Sequence, residues 1–310
     1  MRKIFLLVVF LTFVFMHLMQ GVSFACACGC GVFNVGTSSM FPMGTGGTIW
    51  EEYDFMDQTH NWSKDSKASA DDNPDKQIRT SFINTGLQYM FNRDWGVSIE
   101  VPYEHRYFKT DNGTQGAPDI QSFVHDAIGD IRLQGIYTGF SSDMSTGLNF
   151  GLKLPTGDYT YPNFDRDTEI GSGSMDALIG AYHRGALLSD NHFSYFLQDN
   201  LDQPFLTHGG YLPGTENDAA AGIYYNGFFL AGVKFTPVGE ILNSYRSKDR
   251  GMAANTPNSG YDRVLLSPGI ELDYKRMMVY FDVGFPVYQY MNGDQLIASE
   301  LYKVTVSYMF

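Results

Sequence analysis

The chain is poor in cysteine and in positive charge, and it has a single long apolar run. Its three cysteines, Cys26, Cys28 and Cys30, fall within five residues, and none follows them. No disulfide framework can therefore staple the body of the chain. Lys and Arg number 21 against 34 Asp and Glu, a formal net charge of −13. That balance argues against nucleic acid as a partner. After the first apolar run, no segment offers the roughly 20 apolar residues of a membrane helix. No Gly-x-Ser-x-Gly segment is present, so the nucleophile elbow of the common hydrolases is missing.

What the chain does have begins with an export signal. Arg2 and Lys3 precede an apolar stretch from Ile4 to about Met16, and Ser23-Phe24-Ala25 supplies small residues at a cleavage site. Residues 1–25 read as a signal peptide, residues 26–47 as a Cys/Gly-rich periplasmic segment and residues 48–310 as one domain. The stretch is too short for a comfortable spanning helix.

The domain alternates apolar and polar residues in about twelve segments. In the last, Tyr302, Val304, Val306, Tyr308 and Phe310 share one face, and Lys303, Thr305, Ser307 and Met309 the other. A strand with an apolar, aromatic-tipped face and a polar face suits a wall between lipid and water. Between segments, short turns alternate with long polar loops. Short turns are expected at Asn92-Arg93-Asp94, Ser141-Ser142-Asp143, Ser189-Asp190-Asn191, Asn226-Gly227 and Lys275-Arg276. Long loops are expected to run to about residues 79, 125, 173, 217, 260 and 299. The pattern predicts an all-β chain: a transmembrane antiparallel up-and-down β-barrel of about 12 strands, with both termini on the short-turn, periplasmic side. It belongs in the outer membrane of a Gram-negative-type bacterium, in contact with lipid and lipopolysaccharide, and delivered by the barrel-assembly machinery.

The period of two also assigns the interior. With the apolar phase outward, Glu52, Asp54, Glu100, Asp130, Arg132, Lys153, Lys234, Glu271, Asp282 and Lys303 face the lumen, while Glu51 sits awkwardly on the outer phase. An Arg or Lys facing lipid at the midplane would cost about 2–4 kcal/mol, which forces the inward phase. Two uses compete: contact with a small solute in a polar pore, or mutual pairing that fills a small barrel.

The cysteines suit a soft metal. Three thiolates this close, separated by Ala27 and Gly29, favour Cu(I) or Zn(II), although a fourth side-chain ligand is missing. An oxidisable tail is the competing reading. A barrel phospholipase would need Ser and His at one level of the lipid-facing surface. Beyond the signal segment the histidines lie at His60, His105, His125 and His208, in or beside expected loops, and at His183 and His192, flanking an expected short turn. The reading is therefore a non-enzyme.

Three segments carry a resemblance: Gly129-Asp130-Ile131-Arg132-Leu133, Gly151-Leu152-Lys153-Leu154-Pro155-Thr156-Gly157-Asp158 and Gly171-Ser172-Gly173-Ser174-Met175-Asp176. They are similar to the outer-membrane transporter family named for the meta-pathway of phenol degradation, over about residues 126–310. The resemblance implies a β-barrel that passes small, often hydrophobic, compounds. The cysteine-rich start is not part of that pattern. The expectation is passive diffusion of a small solute, with a plugged structural or interaction barrel carrying a metal-binding tail as the alternative.

Overall fold

In the computed structural model, which describes residues 41–113, 117–188 and 192–310, the alternating segments form one antiparallel sheet closed on itself. The first elements are β1 (Gly46–Lys64), the short β2 (Ser66–Lys67), β3 (Asp75–Met90), β4 (Trp95–Asp111) and β5 (Ile120–Ile128). Then come β6 (Arg132–Tyr137), β7 (Thr146–Lys153), β8 (Ser174–Ala186), β9 (Phe193–Thr207) and β10 (Glu216–Tyr225). The last are β11 (Phe228–Leu230), β12 (Val233–Arg246), β13 (Tyr261–Tyr274) and β14 (Met277–Met309). The ring runs β1-β3-β4-β6-β7-β8-β9-β10-β12-β13-β14 and returns to β1, so eleven elements close it, β14 supplying two antiparallel arms, with β2, β5 and β11 as additions. About twelve strands were expected, which is close. Closure pairs Thr48 with Met309, and Phe310 exchanges both backbone bonds with Gly47 (2.9 and 3.0 Å). A closed ring leaves no edge strand to satisfy in lipid.

Burial alternates with period two along most of the long strands, as in β13, where Tyr261, Arg263 and Leu265 are buried while Leu266 and Pro268 on the other phase are exposed. The outward phase is apolar: Ile49, Leu87, Val97, Leu133, Phe150, Ile179, Leu197, Ile241, Phe281 and Val306 are all exposed. A belt of that size is far beyond what water tolerates, and lipid is the solvent that suits it. Tyr89, Trp95 and Tyr308 add aromatic rings near the short turns, where an interfacial girdle belongs. Glu51 does lie outside, where it accepts a hydrogen bond from Thr85 Oγ1 (2.9 Å) that partly offsets its cost.

Several strands run further into the long-loop side than the sequence reading gave them, and three differences change how the chain reverses or continues. Asn226-Gly227 does not reverse the chain. The chain runs on as β11, and the reversal falls at Ala231-Gly232, both at positive φ, as a tight hairpin turn requires. The final long loop is also absent. β14 doubles back at Asn292-Gly293, with its first arm on β13 and its second on β1. The third difference is a break. Where one strand over residues 127–140 was expected, β5 and β6 are two pieces of one stave, both paired to β4 and separated by Gly129-Asp130-Ile131. Among the described residues β5 pairs only with β4, and its second edge has no strand beside it.

Candidate functional site

The broken stave turns Asp130 into the lumen and gives it a partner. Residues 154–173, which connect β7 to β8, fold back against the gap. Asp130 Oδ1 accepts from the Gly157 amide (2.9 Å), and Oδ2 accepts from the Ser172 amide (2.9 Å) and the Ser172 hydroxyl. Thr156 Oγ1 donates to the Gly129 carbonyl (2.9 Å) and accepts from the Ile131 amide (2.9 Å), so it fills in for the missing ladder. The two ends of the connection touch at Gly157 and Gly171, where a Cβ on Gly171 would stand 2.3 Å from Gly157 backbone. Only glycine allows that approach.

Arg106 fixes the far side of the connection. It is 3% exposed and donates to the carbonyls of Thr168 (2.7 Å) and Glu169 (2.9 Å), to Thr80 Oγ1 (3.1 Å) and to Glu104 Oε2 (2.6 Å). Phe164 packs edge-on against fully buried Phe108 (5.5 Å), and Arg166 lies over the ring of Tyr211 (4.4 Å). The connection is thus a folded cap in the long-loop mouth of the barrel.

Burial pushes the Glu169 carboxyl of this cap up to about 7, against the smaller opposing pull of Arg166 and Arg106. The folded cap therefore holds a proton that the unfolded chain releases near the ordinary Glu value of about 4.3. Stability of the cap is fully present below that value and is lost as pH rises towards 7. Limited proteolysis of residues 154–173 is expected to be slower at pH 5 than at pH 8, and Glu169→Gln is expected to flatten the dependence. Equal rates at both pH values would contradict it.

Beneath the cap the candidate residues sit on the inner wall. Glu52, Asp54, Asp130, Glu271, Asp282 and Lys303 are buried, and Glu100, Arg132 and Lys153 are half-buried. Lys234 shares the inward phase but lies at the short-turn rim, half-exposed and 3.6 Å from Asp273. It stands apart from the other candidates because β12 begins at Val233, immediately after the hairpin turn.

The charges form two groups. In one, Lys303 Nζ lies 3.6 Å from Glu52 Oε2, Thr305 Oγ1 donates to the same oxygen (3.0 Å), Asn84 donates to Asp54 (3.0 Å) and Ser267 donates to Asp282 (2.8 Å). In the other, Asp202 Oδ2 receives Arg132 (3.1 Å) and Lys153 (3.3 Å), and Lys153 also pairs with Asp176. Arg132 is on β6 and Asp202 on β9, three staves along the ring, so this pair crosses the interior. Asp176, Asp202 and Arg106 were not among the sequence candidates. Asp176 lies in a strand whose inward phase was left unassigned, while Asp202 and Arg106 fall in the long loops expected to run to about residues 217 and 125.

The Arg132–Asp202 pair divides the lumen into two cavities. The one towards the cap measures about 120 Å³ and includes Glu104, Arg166, Glu169, Tyr211 and Arg246 in its lining. The one towards the short turns measures about 140 Å³ and is lined in part by Phe41, Trp50, Gln88, Gln134, Asn149 and Tyr182. Glu100, Arg132 and Asp202 belong to both. Phe41, which precedes β1, stacks on Tyr182 (4.5 Å) and meets Phe196 edge-on (5.7 Å), so its ring sits inside the barrel here. Cys26, Cys28 and Cys30 lie outside the described residues.

The fold is that of the transmembrane β-barrels of the outer membrane. The COG4313 outer membrane channel from Pseudomonas putida F1 superposes with a TM-score of 0.65 at 11% identity, over 89% of this chain and 100% of that one. The beta domain of the Bordetella autotransporter BrkA gives 0.51 at 11% identity, over 86% and 100%. A monoaromatic hydrocarbon channel, CymD, gives 0.44 at 11%, over 94% and 95%. No family model and no curated protein matches the sequence. The resemblance read from the sequence therefore holds at the level of an outer-membrane barrel, and membership of the phenol-degradation family is not established by it.

Proposed function

We propose that the chain is an outer-membrane channel through which a small solute diffuses passively. The observation that carries this reading is the interior itself: two cavities in line, lined by charged and amide side chains, with the Arg132–Asp202 ion pair between them. A barrel built only as a scaffold gains nothing from such a lining, because buried ion pairs add little stability over apolar packing. Small, apolar or aromatic solutes fit the cavity that contains Phe41, Trp50 and Tyr182. Glu52, Glu100, Arg132 and Lys153 are the contacts the path offers, while Asp130 serves the cap. The competing reading, a plugged barrel that binds a partner, is favoured by the position of Phe41 inside the wall.

Liposome swelling and planar-bilayer recordings on the refolded protein separate the two. A channel is expected to admit small sugars or ions, and Lys153→Glu is expected to change its ion selectivity. A barrel that neither swells liposomes nor conducts under any condition would overturn the proposal.

A further inference from the structure

The cavity towards the short turns holds one carboxylate, Glu100, that no cation among the described residues approaches within ion-pair distance. Four carboxylates line it, Glu52, Glu100, Asp202 and Asp218, against the single guanidinium of Arg132. Glu52 has Lys303 beside it, and Asp202 has Arg132 and Lys153. Glu100 stands directly across the β4–β6 pair from Arg132, yet Arg132 turns away to Asp202. Among the described residues Glu100 has no ion pair within 4 Å and no side-chain hydrogen bond. It also faces both cavities. Arg132 and Lys303 act on it only from beyond ion-pair distance, so a carboxylate without a close cation stands between the two cavities and can take one from solution.

The rest of the lining specifies which kind of cation. The neutral amides Gln88, Gln134, Asn149 and Gln198 offer no further charge, so a divalent metal would find one free carboxylate and no cage. The aromatic rings of Phe41, Trp50 and Tyr182 supply what a metal does not need and an alkylammonium does: polarisable faces that attract a soft, weakly hydrated cation. Oxygen and nitrogen ligands are otherwise few on the aromatic side, where Ile136 and Leu178 continue the apolar surface. The volume, about 140 Å³, is close to that of an engineered cavity of about 150 Å³ that holds benzene. A compact organic ammonium ion matches the charge, the rings and the size together.

We propose that this cavity is a binding station for small organic cations, with Glu100 as the counter-charge and Trp50 among the rings that receive the apolar groups. The proposal rests on the channel reading and narrows its solute class. It also accounts for the imbalance of the site: an anion entering here would face Glu100 and the rings, with the positive charge of Arg132 already engaged by Asp202.

Binding is measured separately from transport, so that failure of one does not imply failure of the other. The full-length protein, refolded in detergent, is titrated calorimetrically with tetramethylammonium chloride, and with neopentyl alcohol and sodium benzoate as neutral and anionic probes of similar bulk. Saturable binding of tetramethylammonium alone is expected. Glu100→Gln is expected to weaken it by about tenfold or more, and Trp50→Leu by several-fold, in line with the size of a desolvated cation–aromatic contact. Both variants are checked for a folded barrel by their heat-dependent shift in gel mobility. Equal binding of the neutral probe, preferred binding of benzoate, or undiminished tetramethylammonium binding in folded Glu100→Gln would each overturn the assignment. A protein that binds the cation but does not conduct would retain the station and refute the channel.

Discussion

Asp202→Ala is expected to lower the stability of the barrel by about 3 kcal/mol, the lower end of the range for breaking a buried charge pair. Asp202 is 6% exposed and its Oδ2 is shared by Arg132 and Lys153. Removing it leaves Arg132 without its ion-pair partner, while Lys153 keeps Asp176, which is why the loss stays at the lower end. The same change removes the Arg132–Asp202 pair that separates the two cavities, so conductance is expected to rise as stability falls. Denaturant titration followed by gel mobility gives the first quantity, and planar-bilayer recording the second. A loss below about 1 kcal/mol with unchanged conductance would show that the pair is exposed to water and carries neither role.

Arg106→Ala is expected to have an equally large effect, about 3–5 kcal/mol, by a different route. The guanidinium holds two cap carbonyls, a threonine hydroxyl and the carboxylate of Glu104. Truncation also removes the ion pair of Glu104, itself 6% exposed. Arg106→Lys keeps the charge, but a point ammonium cannot match a planar fork that reaches four acceptors, so it should restore only part of the loss. The expected signature is rapid cleavage within residues 154–173 in Arg106→Ala while the barrel wall stays resistant. Uniform loss of the wall and cap together would mean that the two do not unfold separately.

These two residues also mark where the sequence was and was not legible. Lipid on one side and charge on the other make the period of two unmistakable through the belt, so the inward placement of Glu52, Asp130, Lys153, Asp282 and Lys303 could be read directly. Beyond the belt the contrast fades. In β4 and β5 the upper residues His105, Lys109, Gln121 and Ser122 mix polar groups on both faces, and the strands were drawn too short there. The break at Gly129-Asp130-Ile131 keeps the expected alternation, so nothing local announces it. It exists because Asp130 finds its partners some 27 and 42 positions later, at Gly157 and Ser172. Likewise Asn226-Gly227 has strong local turn chemistry, yet Ala231-Gly232 wins because the β10–β12 ladder continues past it through β11. The motifs behind the family resemblance turn out to be the pieces of this junction: the broken stave, the end of β7 and the start of β8 with its flanking glycines.

The unpaired edge of β5 has a mechanical consequence. A closed barrel resists outward tension as a hoop does, by sharing load among backbone ladders at every seam. At the height of β5 one seam carries no such ladder, and the load passes instead through single attachments such as Tyr161 Oη to the Val124 carbonyl (3.1 Å) and the stacked rings of His125 and Tyr161 (3.9 Å). A structure pulled tangentially yields at its weakest row, so this wall has a built-in first point of yield on one side of its circumference. Stretching the protein from opposite staves should therefore produce a small early rupture at this seam, before the cooperative unzipping of the rest of the ring.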